Sequence, residues 1–230
     1  MRIITWNCNG AFRKKLQALE QFKADILVIQ ECEDPKQSAD KNYKAWASNF
    51  IWTGENKRKG LGIFCTNKIV LHNNNWPANY TRHFISATVN NDFQLIAVWN
   101  HIADTPGFHY IGQLWKYLQL NKNLMTKAII TGDFNSNKIW DKPKRSWNHS
   151  DVVRELGEIN IRSLYHEYFK EAQGEEKTPT FYLQKNNKKP FHIDYVFADK
   201  SSFPKIRKFE IGSKRKWLPL SDHLPVIAEL

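Results

Sequence analysis

Acidic, amide and imidazole side chains stand at the ends of the apolar segments of this chain, where groups that bind cations or transfer protons are often found. In TGDFNSN, which follows the apolar run AII, Asp133 and Asn135 lie two residues apart. The other polar residues at the ends of apolar segments are Asn7, Asn9, Glu31, His101, Ser221, Asp222 and His223. Because ligand sites of α/β sheets gather at strand ends, we predict that these side chains meet in one site.

Asp194 differs from the others because it interrupts an apolar segment, HIDYVF, instead of following one. A carboxylate inside a buried strand costs several kcal/mol unless it is paired or bound to a metal. A histidine is the obvious partner, and His223 precedes the last apolar segment. We therefore predict that Asp194 and His223 form a buried pair.

Taken one at a time, several of these residues have simpler interpretations. Asn9-Gly10 has the composition of a tight turn, and Ser221-Asp222 suits a cap or a turn before Pro225. An exposed Glu31 and an ordinary hydrogen-bonded His101 are equally consistent with their positions.

Taken together, these residue types suit the hydrolysis of a phosphodiester by water. A divalent cation prefers hard oxygen ligands, which Glu31 and Asp222 supply. A carboxylate must take a proton from water or orient it, and Asp133 is the candidate. The sequence shows no serine or cysteine nucleophile flanked by a base, which favours direct attack by water.

Neutral and cationic donors complete this chemistry. Asn7 and Asn135 can hold the nonbridging oxygens of a phosphate without weakening the nucleophile. His223, kept protonated by Asp194, can donate to the negative charge that grows in the transition state.

The apolar pattern predicts alternating strands and helices, which is typical of a layered α/β fold. The predicted strands are RIITWN, DILVIQE, GLGIFC, the hairpin 84–89 and 93–99, KAIITGDFN, TPTFYLQ, FHIDYVFA, KIRKFEI and LPVIAEL. The predicted helices are GAFRKKLQALEQFKA, YIGQLWKYLQL and DVVRELGEI, and residues 36–58 are predicted to be irregular. No repeat or linker interrupts the pattern, which predicts one domain over residues 1–230.

The composition adds limits on partner and compartment. The 230 residues include 34 Lys and Arg against 23 Asp and Glu, and the formal charge of +11 suits a polyanion: nucleic acid, an acidic membrane surface or a phosphorylated small molecule. Three cysteines without CxxC spacing argue against a disulfide framework or a zinc site and fit a reducing compartment. With no pattern of a signal peptide or membrane span, we predict a cytoplasmic monomer that needs no membrane and no obligate protein partner.

Six segments, TWNCNG, VIQE, NHI, TGDFN, HIDYVF and SDHLPV, together resemble the motifs of the endonuclease/exonuclease/phosphatase superfamily, and they occur in that family's order along nearly the whole chain. The resemblance implies an α/β fold, a four-layer sandwich of two packed mixed β-sheets flanked by helices. It also implies phosphoester hydrolysis that depends on Mg²⁺, with Mn²⁺ as a possible substitute.

Carried over motif by motif, the resemblance implies a role for each polar residue. The catalytic roles are phosphate contact for Asn7 and His101, water activation for Asp133 with its partner amide Asn135, and orientation for the pair Asp194 and His223. The metal ligands and the neighbouring metal-side position are Glu31, Asp222 and Asn9.

Two motifs favour different branches of the family. NCNG resembles the opening of exonuclease III and of the apurinic-site endonucleases. Those enzymes place a tyrosine where this chain has Asn100-His101, and the histidine is more similar to the deoxyribonuclease-I-like, deadenylase-like and phosphatase-like branches. The specific substrate therefore stays open.

Basic residues interleaved with aromatic ones lie in several segments after predicted strand ends. Lysine and arginine neutralise phosphates, and aromatic rings stack on unpaired bases. The predicted nucleic-acid contacts are Arg13, Lys138, Trp140, Lys142, Lys144, Arg145, Trp147, Lys216 and Trp217. Thr180-Phe181 falls where some members of the family place a substrate-facing loop. A solvated loop with a tryptophan packed beneath it is the simpler interpretation of each basic segment.

The leading prediction is a metal-dependent nuclease, with DNA favoured over RNA and with endonuclease and exonuclease action both open. The alternative is a phosphatase or phosphodiesterase that acts on a small phosphorylated molecule or a phospholipid headgroup. A noncatalytic nucleic-acid-binding protein is the third hypothesis, and the complete set of acids, amides and histidines argues against it.

Overall fold

A computed structural model describes residues 1–102 and 107–230 of the chain. The strands are β1 (Arg2–Asn7), β2 (Ile26–Cys32), β3 (Phe50–Asn56), β4 (Lys59–Cys65), β5 (Leu71–Asn73), β6 (Phe84–Val89), β7 (Phe93–Trp99), β8 (Ala128–Asp133), β9 (Ile161–Ser163), β10 (Phe181–Tyr182), β11 (Pro190–Phe191), β12 (Asp194–Asp199), β13 (Lys208–Ile211) and β14 (Val226–Glu229). The α-helices are α1 (Leu16–Glu20), α2 (Lys41–Trp46), α3 (Ile111–Asn121), α4 (His149–Glu158), α5 (Leu164–Phe169) and α6 (Lys214–Trp217).

The strands form two six-stranded mixed sheets and a small ribbon. The first sheet has the order β13-β14-β1-β2-β4-β3, and the second has the order β5-β6-β7-β8-β12-β9. Strands β1 and β2 are parallel, as are β7 and β8, and the remaining pairs are antiparallel. Strands β10 and β11 pair outside both sheets.

The core is layered, and this confirms the predicted four-layer α/β sandwich. Side chains from the facing surfaces of the two sheets share one apolar cluster, in which Ile3 and Val28 meet Leu95 and Val196. Helices α3 and α4 cover the outer face of the second sheet. The helices α1, α2 and α6 cover the outer face of the first sheet.

Covering both faces of each sheet explains why the central strands are apolar throughout instead of alternating. In β1, Ile3 points into the cluster between the sheets and Ile4 into the cluster beneath the helices, because successive side chains face opposite sides of a strand. In β8, Ile129 and Ile130 divide in the same way. Runs such as AII therefore lie in strands that are covered on both faces.

The pairing of these strands determines which polar residues meet at one edge of the sandwich, here called the rim. In the parallel pair β1–β2, Asn7 lies opposite Gln30, which is the residue before Glu31. Asp133 lies opposite Asp194 in the antiparallel pair β8–β12. The ends of β1, β2 and β8 and the start of β12 consequently lie at the same edge of the sandwich.

Two stretches differ from the sequence-based expectation. Residues 36–58, predicted to be irregular, contain α2 and the edge strand β3, which is only half-buried and gains its order by pairing with β4. The predicted helix in GAFRKKLQALEQFKA is broken into a 3-10 turn and the short α1. Three successive left-handed residues, Asn9, Gly10 and Ala11, redirect the chain before the 3-10 turn. The break itself lies at Lys15, whose φ of −118° departs from helical geometry.

The segment 161–169 forms β9 and α5, which the apolar pattern does not predict, and TPTFYLQ is ordered as a strand only at Phe181–Tyr182. Among the helices of residues 1–102 and 107–230, none is long and apolar enough to cross a membrane.

Candidate active site

Asn7 joins the two sheets at the rim. Its amide nitrogen donates to Glu31 Oε1 over 3.3 Å and to Asp133 Oδ2 over 3.1 Å, and its amide oxygen accepts from the backbone N–H of Asn9 over 3.0 Å. The side chain is buried, so these bonds fix its orientation. Asn7 therefore sets the relative positions of a carboxylate from each sheet.

Glu31 reaches the site from an irregularity in β2. The register between β2 and β4 shifts between Gln30 and Cys32, and Glu31 between them adopts a positive φ of 62°. A left-handed glutamate is strained, and such strain is typical of functional sites. The irregularity turns the carboxylate to the rim, where Lys59 Nζ lies 2.8 Å from Oε2.

Asp133 is fully buried and accepts three hydrogen bonds. Besides the bond from Asn7, it accepts from the backbone N–H of Asn135 over 2.8 Å and from the Asn135 amide over 3.0 Å. Asn135 is itself left-handed, with φ 47°, and its amide also donates to the backbone oxygen of Asn100 over 2.9 Å. Burial raises the pKa of Asp133 to about 7, against the opposing pull of His223.

Asp194 and His223 form the predicted pair. His223 Nδ1 lies 3.0 Å and 3.1 Å from the two carboxylate oxygens, and Nε2 points towards Asp133, 4.0 Å from Oδ2. Although burial alone would lower the pKa of His223, the carboxylates of Asp194 and Asp133 raise it to about 9. His223 is thus a buried imidazolium whose free N–H faces Asp133.

We expect the Asp194→Asn substitution to lower the pKa of His223 by about 1–3 units, since burial then acts without its main opposing charge. Titration of the imidazole by NMR in the metal-free protein measures this shift. Asp222→Asn is the matched control, because Asp222 contributes less to the pKa than Asp194 does. Equal shifts in the two variants would contradict the assignment of Asp194 as the dominant partner.

Asp222 and Asn9 lie together on the more exposed side of the rim. The Asn9 amide donates to Asp222 Oδ1 over 3.1 Å, from a left-handed backbone with φ 51°. Ser221 holds the segment in place by donating to the backbone oxygen of Asn7 over 2.7 Å, and its hydroxyl accepts from the backbone N–H of His223. Glu31, Asn9 and Asp222 are therefore linked to one another through Asn7.

This oxygen-rich group fits a hard divalent cation. Carboxylate and amide oxygens are the ligands that Mg²⁺ uses, and Glu31, Asn9 and Asp222 offer them beside solvent. Within the described residues, 1–102 and 107–230, Asp133, Asp194 and His223 are the acidic and imidazole groups whose ligand atoms lie within 4.8 Å of one another. In that trio His223 Nδ1 already bonds Asp194, which suits proton transfer better than metal binding.

His101 lies apart from these contacts. Its ring is exposed, its Nδ1–H donates to the backbone oxygen of Ile102 over 2.9 Å, and it packs 5.1 Å from the ring of Trp99. Trp99 is the residue opposite Asp133 in the β7–β8 pair. Within residues 1–102 and 107–230, His101 thus lies on the rim of the second sheet without a direct bond to the other predicted catalytic residues.

The predicted nucleic-acid contacts between 138 and 147 lie on one surface segment. Lys138, Lys142 and Lys144 are exposed, and Trp140 is 40% exposed. Arg145 and Trp147 of the same segment are half-buried. The Arg145 guanidinium stacks over the Trp147 ring, 4.5 Å from its centre, and this contact supports the segment.

The remaining predicted contacts divide. Arg13 is half-exposed and pairs with Glu33. Trp217 is 1% exposed and packs against Trp6 and Phe22, so its prediction as a stacking residue is wrong: a short amphipathic helix turns this ring into the core.

Lys216 is exposed but donates to Gln21 beside Phe22. Phe22 accepts from Arg2 at the opposite end of β1 from Asn7, so Lys216 lies away from the rim. Lys216 as a nucleic-acid contact stays a prediction.

Two buried polar residues, Asn100 and Thr180, support the site without a predicted catalytic or metal-binding role. Asn100 is fully buried, and its amide donates to the backbone oxygen of Phe134 behind Asp133. Thr180 accepts from the backbone N–H groups of Ile193 and Asp194 and so fixes the start of β12. The adjacent Phe181, in the predicted substrate-facing loop, packs 4.5 Å from the ring of His223. Tight packing of small polar residues leaves little periodic signal in a sequence.

Comparison with known proteins agrees with this geometry. The sequence model of the Endonuclease/Exonuclease/phosphatase family matches residues 4–223. A structure of the 3′ phosphatase NExo from Neisseria bound to a product DNA hairpin is similar, with a TM-score of 0.72 and 20% identity over 100% of this chain and 99% of that one.

Two further structures are similar in fold. The 3′-5′ exonuclease NExo from Neisseria meningitidis has a TM-score of 0.71 at 20% identity, with 100% of this chain and 99% of that chain covered. An AP endonuclease from Archaeoglobus fulgidus has a TM-score of 0.67 at 18% identity, with the same two shares covered.

Proposed function

The chain belongs to the Endonuclease/Exonuclease/phosphatase family, and from that premise we propose that it hydrolyses phosphodiester bonds of nucleic acid, DNA in preference to RNA, with the help of Mg²⁺ or, as a substitute, Mn²⁺. The observation that carries this proposal is the opposed pair at the rim. Asp133 has a raised pKa and accepts three amide hydrogen bonds, and the imidazolium of His223 lies 4.0 Å away.

The chemistry of the proposal follows from these two groups. Ionised Asp133 orients a water molecule and takes its proton as the water oxygen bonds to phosphorus and the bond to the leaving oxygen breaks. His223 donates its Nε2–H to a phosphate oxygen on which negative charge grows. Asp194 holds the imidazole at Nδ1 so that the donor faces the reacting group.

The amides position the carboxylate that orients the water. Asn7 and Asn135 both donate to Asp133, so each holds the carboxylate at a fixed angle. Their second N–H groups donate to Glu31 and to the backbone oxygen of Asn100. A cation held by Glu31, Asn9 and Asp222 would offset phosphate charge. His101 is proposed to contact the phosphate chain from the opposite wall of the rim.

A row of aromatic rings beside His223 supports nucleic acid as the substrate. Phe181 packs 4.5 Å from His223 and 6.5 Å from Phe191, and Phe191 packs 5.0 Å from the exposed Trp140. Rings in such a row can stack on unpaired bases. The exposed lysines of segment 138–147, which contains Trp140, supply positive charge for the flanking phosphates.

Two of the similar structures favour DNA. One is bound to a product DNA hairpin and another is an AP endonuclease, and at 20% and 18% identity these similarities establish a shared fold. The proposal of DNA therefore depends on the aromatic row and the basic segment together with these two structures.

A panel of substrates tests the proposal. We expect hydrolysis with Mg²⁺ or Mn²⁺ of at least one among plasmid, linear duplex, single-stranded DNA, abasic duplex and 3′-phosphorylated DNA, and slower hydrolysis of RNA and of inositol phosphates. Binding of DNA should weaken steeply with salt, by a slope of about 0.9 per phosphate contacted.

A double lysine variant serves as the internal check of the same experiment. Changing Lys142 and Lys144 together to glutamine should reduce the salt slope by about two if both contact phosphates. Hydrolysis of inositol phosphates with no activity on any nucleic acid would replace the proposal with the small-molecule phosphatase.

A further inference from the structure

The ion pair between Lys59 and Glu31 is a feature of the rim that the proposed mechanism does not use. Lys59 begins β4, and its Nζ lies 2.8 Å from Glu31 Oε2. The side chain of Lys59 is 50% exposed, whereas that of Glu31 is 16% exposed. A long, exposed cation thus holds one oxygen of the carboxylate that the family resemblance assigns to metal binding.

The backbone keeps Lys59 in this place. Gly60, the next residue, lies opposite Cys32 across the irregularity that turns Glu31 to the rim. A Cβ at Gly60 would collide with the Trp52 ring and with the backbone oxygen of Thr53, so β3 and β4 approach here only because this residue is glycine. The start of β4 is therefore fixed beside Glu31.

Lys59 also reaches across to the second sheet. Its ammonium lies 5.9 Å from the centre of the Trp99 ring, which itself contacts His101. The attraction between a cation and an indole face is favourable at such a distance. Released from Glu31, the ammonium would still lie at the mouth of the rim, between Glu31 and His101.

Both oxygens of Glu31 are occupied by donors from the protein. Oε1 accepts from the Asn7 amide over 3.3 Å, and Oε2 is held by Lys59. A divalent cation binds a carboxylate oxygen at about 2.0–2.6 Å, and it repels an ammonium group bound to the same oxygen. The cation and Lys59 therefore cannot share Oε2, and the flexible, half-exposed lysine is the group that can move.

We propose that Lys59 competes with the divalent cation for Glu31 and acts as its replacement in the metal-free protein. The inference rests on the proposed function, because it takes Glu31 as a metal ligand. In the metal-free state the ammonium neutralises the Glu31 carboxylate and holds it in its place at the rim. When the cation binds, Lys59 leaves Glu31 and offers its charge to the phosphates of the entering substrate.

The test measures metal binding directly, in the absence of nucleic acid. Electron paramagnetic resonance of free Mn²⁺ gives the dissociation constant for the wild type and for Lys59→Met, which keeps an apolar stem of similar length. We expect Lys59→Met to bind Mn²⁺ about two- to fivefold more tightly, the range expected for loss of one partly exposed ion pair.

Arg58→Met is the matched control, because Arg58 is exposed in the same turn and carries the same charge. Its effect on Mn²⁺ affinity should stay below about twofold and should vanish at high salt, since it acts only through the screened field. The effect of Lys59→Met should persist at high salt, because it removes a direct contact.

A Glu31→Gln variant separates the two levels of the proposal. If Mn²⁺ binds the wild type, Glu31→Gln loses it and Lys59→Met tightens it beyond the control, the inference is supported. If binding depends on Glu31 but Lys59→Met matches Arg58→Met, the competition is refuted and the metal site stands. Binding that is indifferent to Glu31 would refute both the metal role of Glu31 and the inference built on it.

Discussion

Replacing Asp133 with asparagine is expected to lower the rate of DNA hydrolysis by at least about 10³-fold, because the variant loses the base that takes the proton from water. Asparagine keeps the size of the side chain and an oxygen that can accept from the backbone N–H of Asn135. It cannot accept a proton from water. Turnover of DNA under saturating Mg²⁺ is the measurement.

Binding of DNA should survive this substitution. The proposed phosphate contacts are the exposed lysines of segment 138–147, and this substitution leaves them unchanged. Fluorescence anisotropy with labelled DNA should therefore give an affinity close to that of the wild type. Loss of binding and of turnover together would point to a collapsed rim.

Asp199→Asn is the control for this prediction. Asp199 ends β12, the strand that begins with Asp194, and its carboxylate accepts from the backbone N–H of Ser202 at the far end of the sandwich. Removing the charge there should leave turnover unchanged. A similar loss of rate in both variants would contradict the role assigned to Asp133, because it would reflect a general effect of lost negative charge.

The strand ends were predictable from sequence because a simple physical rule produces them. A strand covered on both faces reads as an unbroken apolar run, and AII in the buried strand β8 directly precedes the polar residues of the site. The contact between Asp194 and His223 was likewise predictable, since a carboxylate within an apolar strand needs a partner. Both inferences use only local sequence and the cost of burying charge.

Other features depend on contacts between distant segments that local sequence does not encode. The basic sequence around Trp217 resembles an exposed nucleic-acid contact, yet the ring packs against Trp6 from the first strand. Strand β3 is half-buried and is ordered by its pairing with β4. The ion pair of Lys59 with Glu31 needs an irregular strand and a close approach at Gly60. A single domain over residues 1–230 stays a prediction.

The second large effect is expected for His223→Asn. We expect hydrolysis to fall by about 10²–10³-fold, since the variant removes the cationic donor that meets the charge of the transition state. Asparagine retains a neutral hydrogen-bond donor. The variant therefore loses the positive charge but keeps part of the contact that positions the phosphate. The measurement is single-turnover hydrolysis at saturating Mg²⁺, which separates the chemical step from product release.

The pH dependence of the same reaction distinguishes charge from position. The proposal requires Asp133 ionised and His223 protonated, so the wild-type rate should rise with pH through about 7 and fall above about 9, with both limits belonging to the coupled pair. In His223→Asn the fall at high pH should disappear, because no imidazolium remains to lose its proton.

The double variant Asp133→Asn/His223→Asn completes the prediction. Groups that act in one step do not contribute independently, so the double variant should be slower than Asp133→Asn alone by much less than the single effect of His223→Asn. Losses that multiply in full would show that the two residues act in separate steps. Because Asp133 Oδ2 and His223 Nε2 lie only 4.0 Å apart, we expect the effects of the two substitutions to be coupled.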